Sequence, residues 1–155
     1  MKKVILVVAV LFLVSCGVKT PYDTFRKVNK DNTELSFGVP NFMLRNVVFD
    51  EDVKEITKKM VGIKKWRLLV SKEAVSDFDQ TFTTFVHQNK YEELLKVSRE
   101  NNTIHVYTYA QAGKTKEALL KVYNGNHLVI ISAEGKDLKF ENLDLLFRDV
   151  KISEK

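Results

Sequence analysis

Four consecutive strand-like segments dominate the second half of this 155-residue chain. They cover residues 93–100, 103–110, 115–123 and 127–133. Turn signals separate them at near-regular spacing, and the strongest is Asn124-Gly125, where both positions tolerate the positive φ of a two-residue hairpin. Short connections of this kind join antiparallel neighbours, so the segments predict an antiparallel sheet.

Helical patterns precede and follow these strands. In the clearest one, Phe78, Phe82 and Phe85 recur at three- and four-residue spacing within residues 72–89, which predicts one buried stripe against the sheet. Other segments complete the scheme, namely short helices at 42–48, between Asp50 and Gly62, and near 143–150, and a further strand at 63–71. This order predicts an α+β fold, with an antiparallel sheet of about five strands and helices packed on one face.

The N-terminus carries the most specific motif. Met1-Lys2-Lys3 precedes an uninterrupted apolar run over residues 4–14, which matches a signal-peptide core and is too short to span a bilayer. The run ends in Leu13-Val14-Ser15-Cys16-Gly17, which resembles a bacterial lipobox. Cys16 is the only cysteine, so a disulfide framework is excluded. Its position predicts lipidation, and the alternatives are a plain secretory signal with a chance cysteine or a buried structural thiol.

Lipidation at Cys16 predicts the membrane as a partner and the cell envelope as the location. Two or three acyl chains hold a protein firmly, whereas one chain binds only marginally. By resemblance to lipoprotein sorting rules, Gly17 in place of an aspartate favours the outer membrane. No acidic run follows it, which favours an anchor that faces the periplasm.

The composition along the chain predicts four regions. They are a signal peptide at residues 1–15, a polar lipid-anchored tether at 16–34, a single α+β domain at 35–150 and a polar tail at 151–155. Within the tether, Tyr22 and Phe25 either dock on the domain or stay unstructured.

Short hydrophobic patterns in the domain resemble a known family. They are Pro40-Asn41-Phe42, Val61-Gly62-Ile63, the segment 91–97, Val106-Tyr107, and the closing segments 128–131 and 134–138. On these residues the chain resembles a bacterial lipoprotein family with a domain of unknown function, numbered 4252, over about residues 35–150. The resemblance implies a lipidated protein without assigned catalytic residues. It also implies a sensing or accessory role, since some members look as though they are encoded beside envelope-stress sigma factors.

The residue types that carry chemistry predict no enzyme. His87, His105 and His127 lack the spacing of a metal site, and no serine lies in a G-x-S-x-G sequence. The Gly-Lys-Thr sequence at 113–115 lacks the upstream glycine of a phosphate-binding loop. We therefore expect no catalytic residues, no cofactor and no metal. A net charge of +5, part of it in the signal peptide, is too small to predict a nucleic-acid partner.

Strand alternation assigns side chains to two faces of the sheet. Val106 and Leu120 fall on the core face, and the opposite face receives a more aromatic set: His105, Tyr107, Tyr109 and Tyr123, with Leu119, Leu128 and Ile130. This set is too apolar for a face that meets only water, so it is the candidate binding face. The alternatives are that another helix, such as 42–48, covers it, or that the register is off by one.

These observations predict a non-catalytic, lipid-anchored envelope protein. It would be a binding or accessory signalling module for another envelope macromolecule, or it would associate with itself. The alternative is a periplasmic carrier of a small apolar, lipid-like ligand, and a novel hydrolase ranks last. A large pocket would favour the carrier. A histidine that converges with a carboxylate and a serine would favour the hydrolase.

Overall fold

The computed structural model describes residues 20–40, 51–72, 75–99, 102–124 and 127–141. Besides a 3-10 turn at Lys30–Asn32, the chain forms three α-helices and six strands within these ranges. In chain order they are α1 (Pro21–Val28), β1 (Thr33–Val39), α2 (Glu51–Lys58), β2 (Met60–Ser71), α3 (Val75–Gln88), β3 (Glu92–Arg99), β4 (Asn102–Gln111), β5 (Lys114–Asn124) and β6 (His127–Phe140). The predicted α+β class with an antiparallel sheet is confirmed, although the sheet has six strands rather than about five.

All six strands form one antiparallel sheet in the order β1-β2-β6-β5-β4-β3. Val106 pairs with Leu120 and Tyr107 with Leu119, so the predicted alternation of β4 and β5 is confirmed. Asn124, predicted as a turn residue, instead pairs with His127, and Tyr123 pairs with Leu128. A turn at Asn124-Gly125 would pair residue 123 with 126, so the predicted register is wrong by two residues. A shift of two residues leaves every side chain on its predicted face, because side chains alternate with a period of two. The hydrophobic pattern therefore gives the faces, whereas the turn residues do not give the exact pairing.

The two faces of this sheet carry separate apolar clusters. The first face holds a mostly aliphatic cluster that includes Trp66, Leu120 and Ile131, and α2 adds Val53 and Ile56 to it. The second face carries the aromatic cluster, which consists of Tyr22, Phe25, Leu69, Phe78, Phe82, Phe85, Val86, Tyr91, Tyr107, Leu119, Leu128 and Ile130. Helices α1 and α3 supply its outer layer.

The prediction that helices pack on one face is therefore wrong. Helix α2 packs on the first face, whereas α1 and α3 pack on the second. The physical reason is that the central strands are apolar on both sides, and each apolar side must be covered.

The predicted tether is also largely folded. Thr20 precedes α1 as its N-cap residue, Pro21 occupies the first turn, and Tyr22 is completely buried. Strand β1 follows and pairs with β2, so the folded domain begins near residue 20 rather than 35. The alternative that Tyr22 and Phe25 dock on the domain is the one that the structure supports.

Gly62, predicted at a helix C-terminus, lies inside β2 instead. Helix α2 ends at Lys58, and Gly62 has a φ of +85° beside an irregular stretch of the β2–β6 pairing. A Cβ at this position would lie 2.8 Å from the carbonyl oxygen of Asp137, so the close backbone approach requires glycine.

Several predicted segments lie outside the described residues. These are the signal peptide at 1–15, Cys16, the helices at 42–48 and 143–150, and the tail at 151–155. Within the described part of the chain, no helix has the length and apolar character needed to cross a bilayer.

Candidate functional site

The four residues of the candidate binding face do lie on one face, as predicted, but helices cover much of it. Tyr107 is only 7% exposed, and its ring meets Phe82 of α3 edge-on at a centroid distance of 6.0 Å. Tyr109 is half-buried and tilts against Tyr91 at 5.3 Å. Tyr107 therefore contributes to the interior, which matches the alternative that a helix covers this face.

The other two predicted residues lie towards the margins of the second face. Nδ1 of His105 lies 2.9 Å from Oε2 of Glu93, and this hydrogen bond holds the pKa of Glu93 below its usual value. The Nζ atom of Lys121 lies 5.7 Å from the ring centroid of Tyr123, in a cation–π contact. The same Nζ donates to Asp79 of α3 at 2.9 Å, so Lys121 is buried but paired.

Helices α1 and α3 are joined by aromatic contacts over the second face. The ring of Phe25 lies 4.5 Å from that of Phe85 and 5.7 Å from that of Phe82, and Tyr22 stacks on Phe25 at 5.9 Å. The predicted stripe of Phe78, Phe82 and Phe85 is thus confirmed as buried. It packs on the tyrosine face and not on the aliphatic core face.

A groove of about 910 Å³ runs between α1 and α3 and is open to solvent on one side. Its apolar lining is Pro21, Phe25, Val28, Phe85 and Tyr109. The rest of the lining is polar, and only Asp77 carries a charge: Thr20, Thr24, Asn29, Asp77, Gln80, Thr81, Thr84, Gln88 and Asn89. Val28 is 76% exposed, so it presents apolar surface at the groove.

A buried carboxyl group lies beneath α1, on the second face. Glu117 of β5 is completely buried, Tyr91 donates to its Oε2 at 2.6 Å, and Ser132 of β6 donates to its Oε1 at 2.8 Å. Burial raises the pKa of Glu117 to about 7, although the two hydrogen bonds act in the opposite direction. Burial and the nearby Glu117 also raise the pKa of Tyr91.

An ion pair connects α1 to the sheet beside this carboxyl group. Arg67 of β2 is buried and contacts Asp23 of α1 at 2.6 Å, and it also pairs with Glu134 of β6. Burial raises the pKa of Glu134, and the positive charge of Arg67 only partly offsets that increase. Arg67 therefore holds the first helix of the domain against the sheet.

These polar contacts do not form a familiar catalytic arrangement. Ser132 donates to Glu117, while His105 pairs with Glu93 and Nδ1 of His127 lies 2.9 Å from the Ser71 carbonyl oxygen. Within the described ranges, no group of three or more His, Cys, Asp or Glu residues could hold a metal ion. What the described residues offer is a groove beside a buried aromatic layer.

A family profile described as a domain of unknown function, DUF4252, matches residues 25–146, which is most of the chain. The chain belongs to the DUF4252 family. The match begins at residue 25, so it covers the second half of α1 and all six strands. No curated protein and no solved structure matches the chain.

Sequence reasoning missed two features of this DUF4252 domain, the groove and the buried Glu117. A signal for α1 was present, because Thr20 and Pro21 suit a helix start and Arg26 and Lys27 suit a helix end. Glu117 shares a face of β5 with Leu119 and alternates with Ala118 and Leu120. An acidic residue in such a position is usually expected to be solvated. Only the position of α1 over the sheet makes it buried.

Proposed function

We propose that this protein is a non-catalytic, lipid-anchored protein of the cell envelope. It faces the periplasm from the outer membrane, and its domain binds a segment of another envelope protein in the α1–α3 groove. The observation that carries the proposal is the groove itself, a concavity of about 910 Å³ with aromatic side chains beside uncharged polar ones.

The sequence places this groove close to the proposed anchor. Only three residues lie between Cys16 and Thr20, which lines the groove and precedes the first helix. The four Cα–Cα steps from residue 16 to residue 20 span about 14 Å at most when fully extended. A lipid on Cys16 would therefore hold α1 and the groove near the membrane surface, where the partner would also have to lie.

The lining favours a protein segment over an acyl chain. A hydrocarbon chain offers no hydrogen bonds, so it would desolvate groups such as Thr84, Gln88 and Asn89 at a cost. A peptide segment can hydrogen-bond these side chains while its apolar residues contact Phe25 and Val28. The expected partner is an amphipathic, largely uncharged segment.

A periplasmic carrier of a small apolar ligand is the second candidate. The groove volume lies within the range of roughly 300–1,000 Å³ that is common for small-molecule sites. The aromatic rings of Phe25 and Phe85 would supply apolar contact area. The two candidates use the same groove, so one experiment can separate them.

The test is a photo-crosslinking side chain at position 84, introduced into the full chain in growing cells. Residue 87 is the matched control, because it is exposed on the same helix but does not line the groove. We expect a discrete protein adduct from position 84 and none from position 87. A lipid adduct from position 84 would support the carrier instead, and identical products at both positions would contradict a groove site.

Once the cross-linked segment is identified, it can be titrated as a synthetic peptide. Thr84→Arg should weaken its binding about tenfold or more, because the new side chain fills and charges the groove. His87→Arg adds the same side chain outside the groove and should leave the affinity unchanged. Equal effects of the two variants would contradict the proposal.

A further inference from the structure

Strand β1 forms one edge of the sheet, and no described strand lies on its outer side. Residues 34–38 of β1 are exposed, and an edge strand of this kind can pair through its outward backbone N–H and C=O groups. Sheet edges that are not meant to pair are usually protected by lysine, proline or a very short strand. The seven residues of β1 contain neither lysine nor proline.

Two large apolar side chains on this edge strand are exposed. Leu35 is 50% exposed and Phe37 is 46% exposed, and both belong to the side of the first face, since they pair with Val70 and Leu68. The only irregularity of the β1–β2 pairing lies between Thr33 and Leu35. The regular part of the edge is thus residues 35–39, and Phe37 is its central residue.

We propose that β1 pairs with β1 of a second copy of this chain, antiparallel, with a two-fold axis at Phe37. This register places Phe37 opposite Phe37 of the other copy, Leu35 opposite Val39, and Ser36 opposite Gly38. The sheet then continues across the axis as twelve strands, six from each copy. The proposal concerns the edge of the sheet and is independent of the groove between α1 and α3.

The register is self-complementary in apolar contact and in charge. All three apolar side chains of residues 35–39 meet apolar partners on one face, and aromatic or aliphatic pairs of this kind stabilise antiparallel strands. Glu34, the only charged residue of β1, lies outside the five pairs, so no like charges oppose each other. Gly38 leaves room for a neighbouring side chain, because the nearest atom to an added Cβ is 3.8 Å away.

The interface is small. Five paired residues bury less area than a standard stable interface, so we expect micromolar or weaker association in solution. If Cys16 carries a lipid, confinement to one membrane raises the effective concentration of the two copies. The fraction of dimer would then depend on how densely the protein covers the membrane.

Mixed disulfide formation tests the register. Ser36→Cys and Gly38→Cys are made as separate full-length proteins and are oxidised alone and mixed. Opposed residues lie about 4.5–5.5 Å apart, which a disulfide can span. We expect the mixture to give several-fold more covalent dimer than either variant alone. Ser98→Cys, exposed on β3 at the opposite edge, measures random collision, and the wild-type chain controls for Cys16.

Three results would overturn the proposal. One is the absence of mixed disulfide at about 1 mM protein, a concentration at which even weak pairing is populated. Another is a yield from Ser36→Cys alone that equals or exceeds the mixture, which would mean a different register. The third is an equal yield from Ser98→Cys, which would mean non-specific contact.

A charge variant gives an independent measurement. Phe37→Glu places two carboxylates opposite each other on the axis, and we expect sedimentation to show dimerisation weakened by about tenfold or more. Leu94→Glu is the matched control, since Leu94 is 42% exposed on β3. Dimerisation that survives Phe37→Glu, or is lost equally in Leu94→Glu, would contradict pairing through β1.

Discussion

The two faces of the sheet are both buried but differ in chemistry. The described part of the first face is packed with aliphatic side chains and Trp66, and α2 adds two more apolar residues. The second face combines stacked aromatic rings with buried charged residues, namely Arg67, Glu117 and Lys121. Among the described residues, every buried charged side chain belongs to this face or to its edge.

The difference shows two ways of fixing a helix against a sheet. Aliphatic packing stabilises the contact between a helix and the sheet, but it tolerates alternative arrangements of similar volume. Hydrogen bonds and ion pairs require one geometry, because an unpaired buried group is costly. Arg67 to Asp23 and Lys121 to Asp79 each connect the second face to one helix, α1 and α3 respectively. We infer that these pairs set the helix positions that shape the groove.

The largest expected effect concerns the aromatic layer. Phe82→Ala removes a completely buried ring and should lower the free energy of unfolding by about 3–5 kcal/mol, as in other cores. Ile131→Ala on the first face should cost about 2–5 kcal/mol. Urea unfolding measures both, and Thr83→Ala on the same helix is the control. A nearly unchanged midpoint for Phe82→Ala would show that only the first face is a true core.

The next effect depends on pH and distinguishes the polar face from the aliphatic one. The pKa of Glu117 is raised to about 7 from an ordinary 4.5, so the folded state holds its proton more tightly than the unfolded state. Stability from this group is complete below about pH 4.5 and is lost as the pH rises through 7, by about 3 kcal/mol in all. Urea unfolding across this range should show the decline.

Glu117→Gln is the matched variant for that measurement. It keeps a carbonyl acceptor for Tyr91 or Ser132 but cannot ionise, so the decline should be much smaller. A remainder is expected from Glu134, whose pKa burial also raises. If the decline is the same in wild type and Glu117→Gln, Glu117 is not the group that titrates.

The smallest effect is expected at the margin of the second face. His105→Asn breaks a contact with Glu93, whose side chain is 43% exposed, and exposed pairs contribute little. We expect a change in unfolding free energy below about 0.5 kcal/mol. A loss similar to that of Phe82→Ala would mean that the buried region of this face extends to its margin.

Much of the sheet could be predicted from the sequence because its signals are local. The alternation around Leu120 and Ile131 places the side chains of β5 and of the first half of β6 on the correct faces. Phe78, Phe82 and Phe85 likewise define a helix with one buried side. These patterns need no knowledge of distant residues.

The first helix and the groove could not be predicted in the same way. Helix α1 is eight residues long and largely polar, and only Tyr22 and Phe25 are buried in it. Its stability comes from contacts with residues far along the chain, such as Arg67 and Phe85. Short helices depend on tertiary packing rather than on propensity.

The sequence by itself determined five of the six strands, the two faces of β4 and β5, the helix stripe and the lipobox-like motif at Cys16. It did not determine β1 or the exact pairing register. The tertiary structure alone decided which face each helix covers. It turned Tyr107 into an interior residue and buried Glu117 beneath α1. The physical reason is that both faces of the sheet are apolar. Periodicity therefore shows on which face of the sheet a side chain lies. Which helix covers that face depends on contacts between residues far apart in the chain.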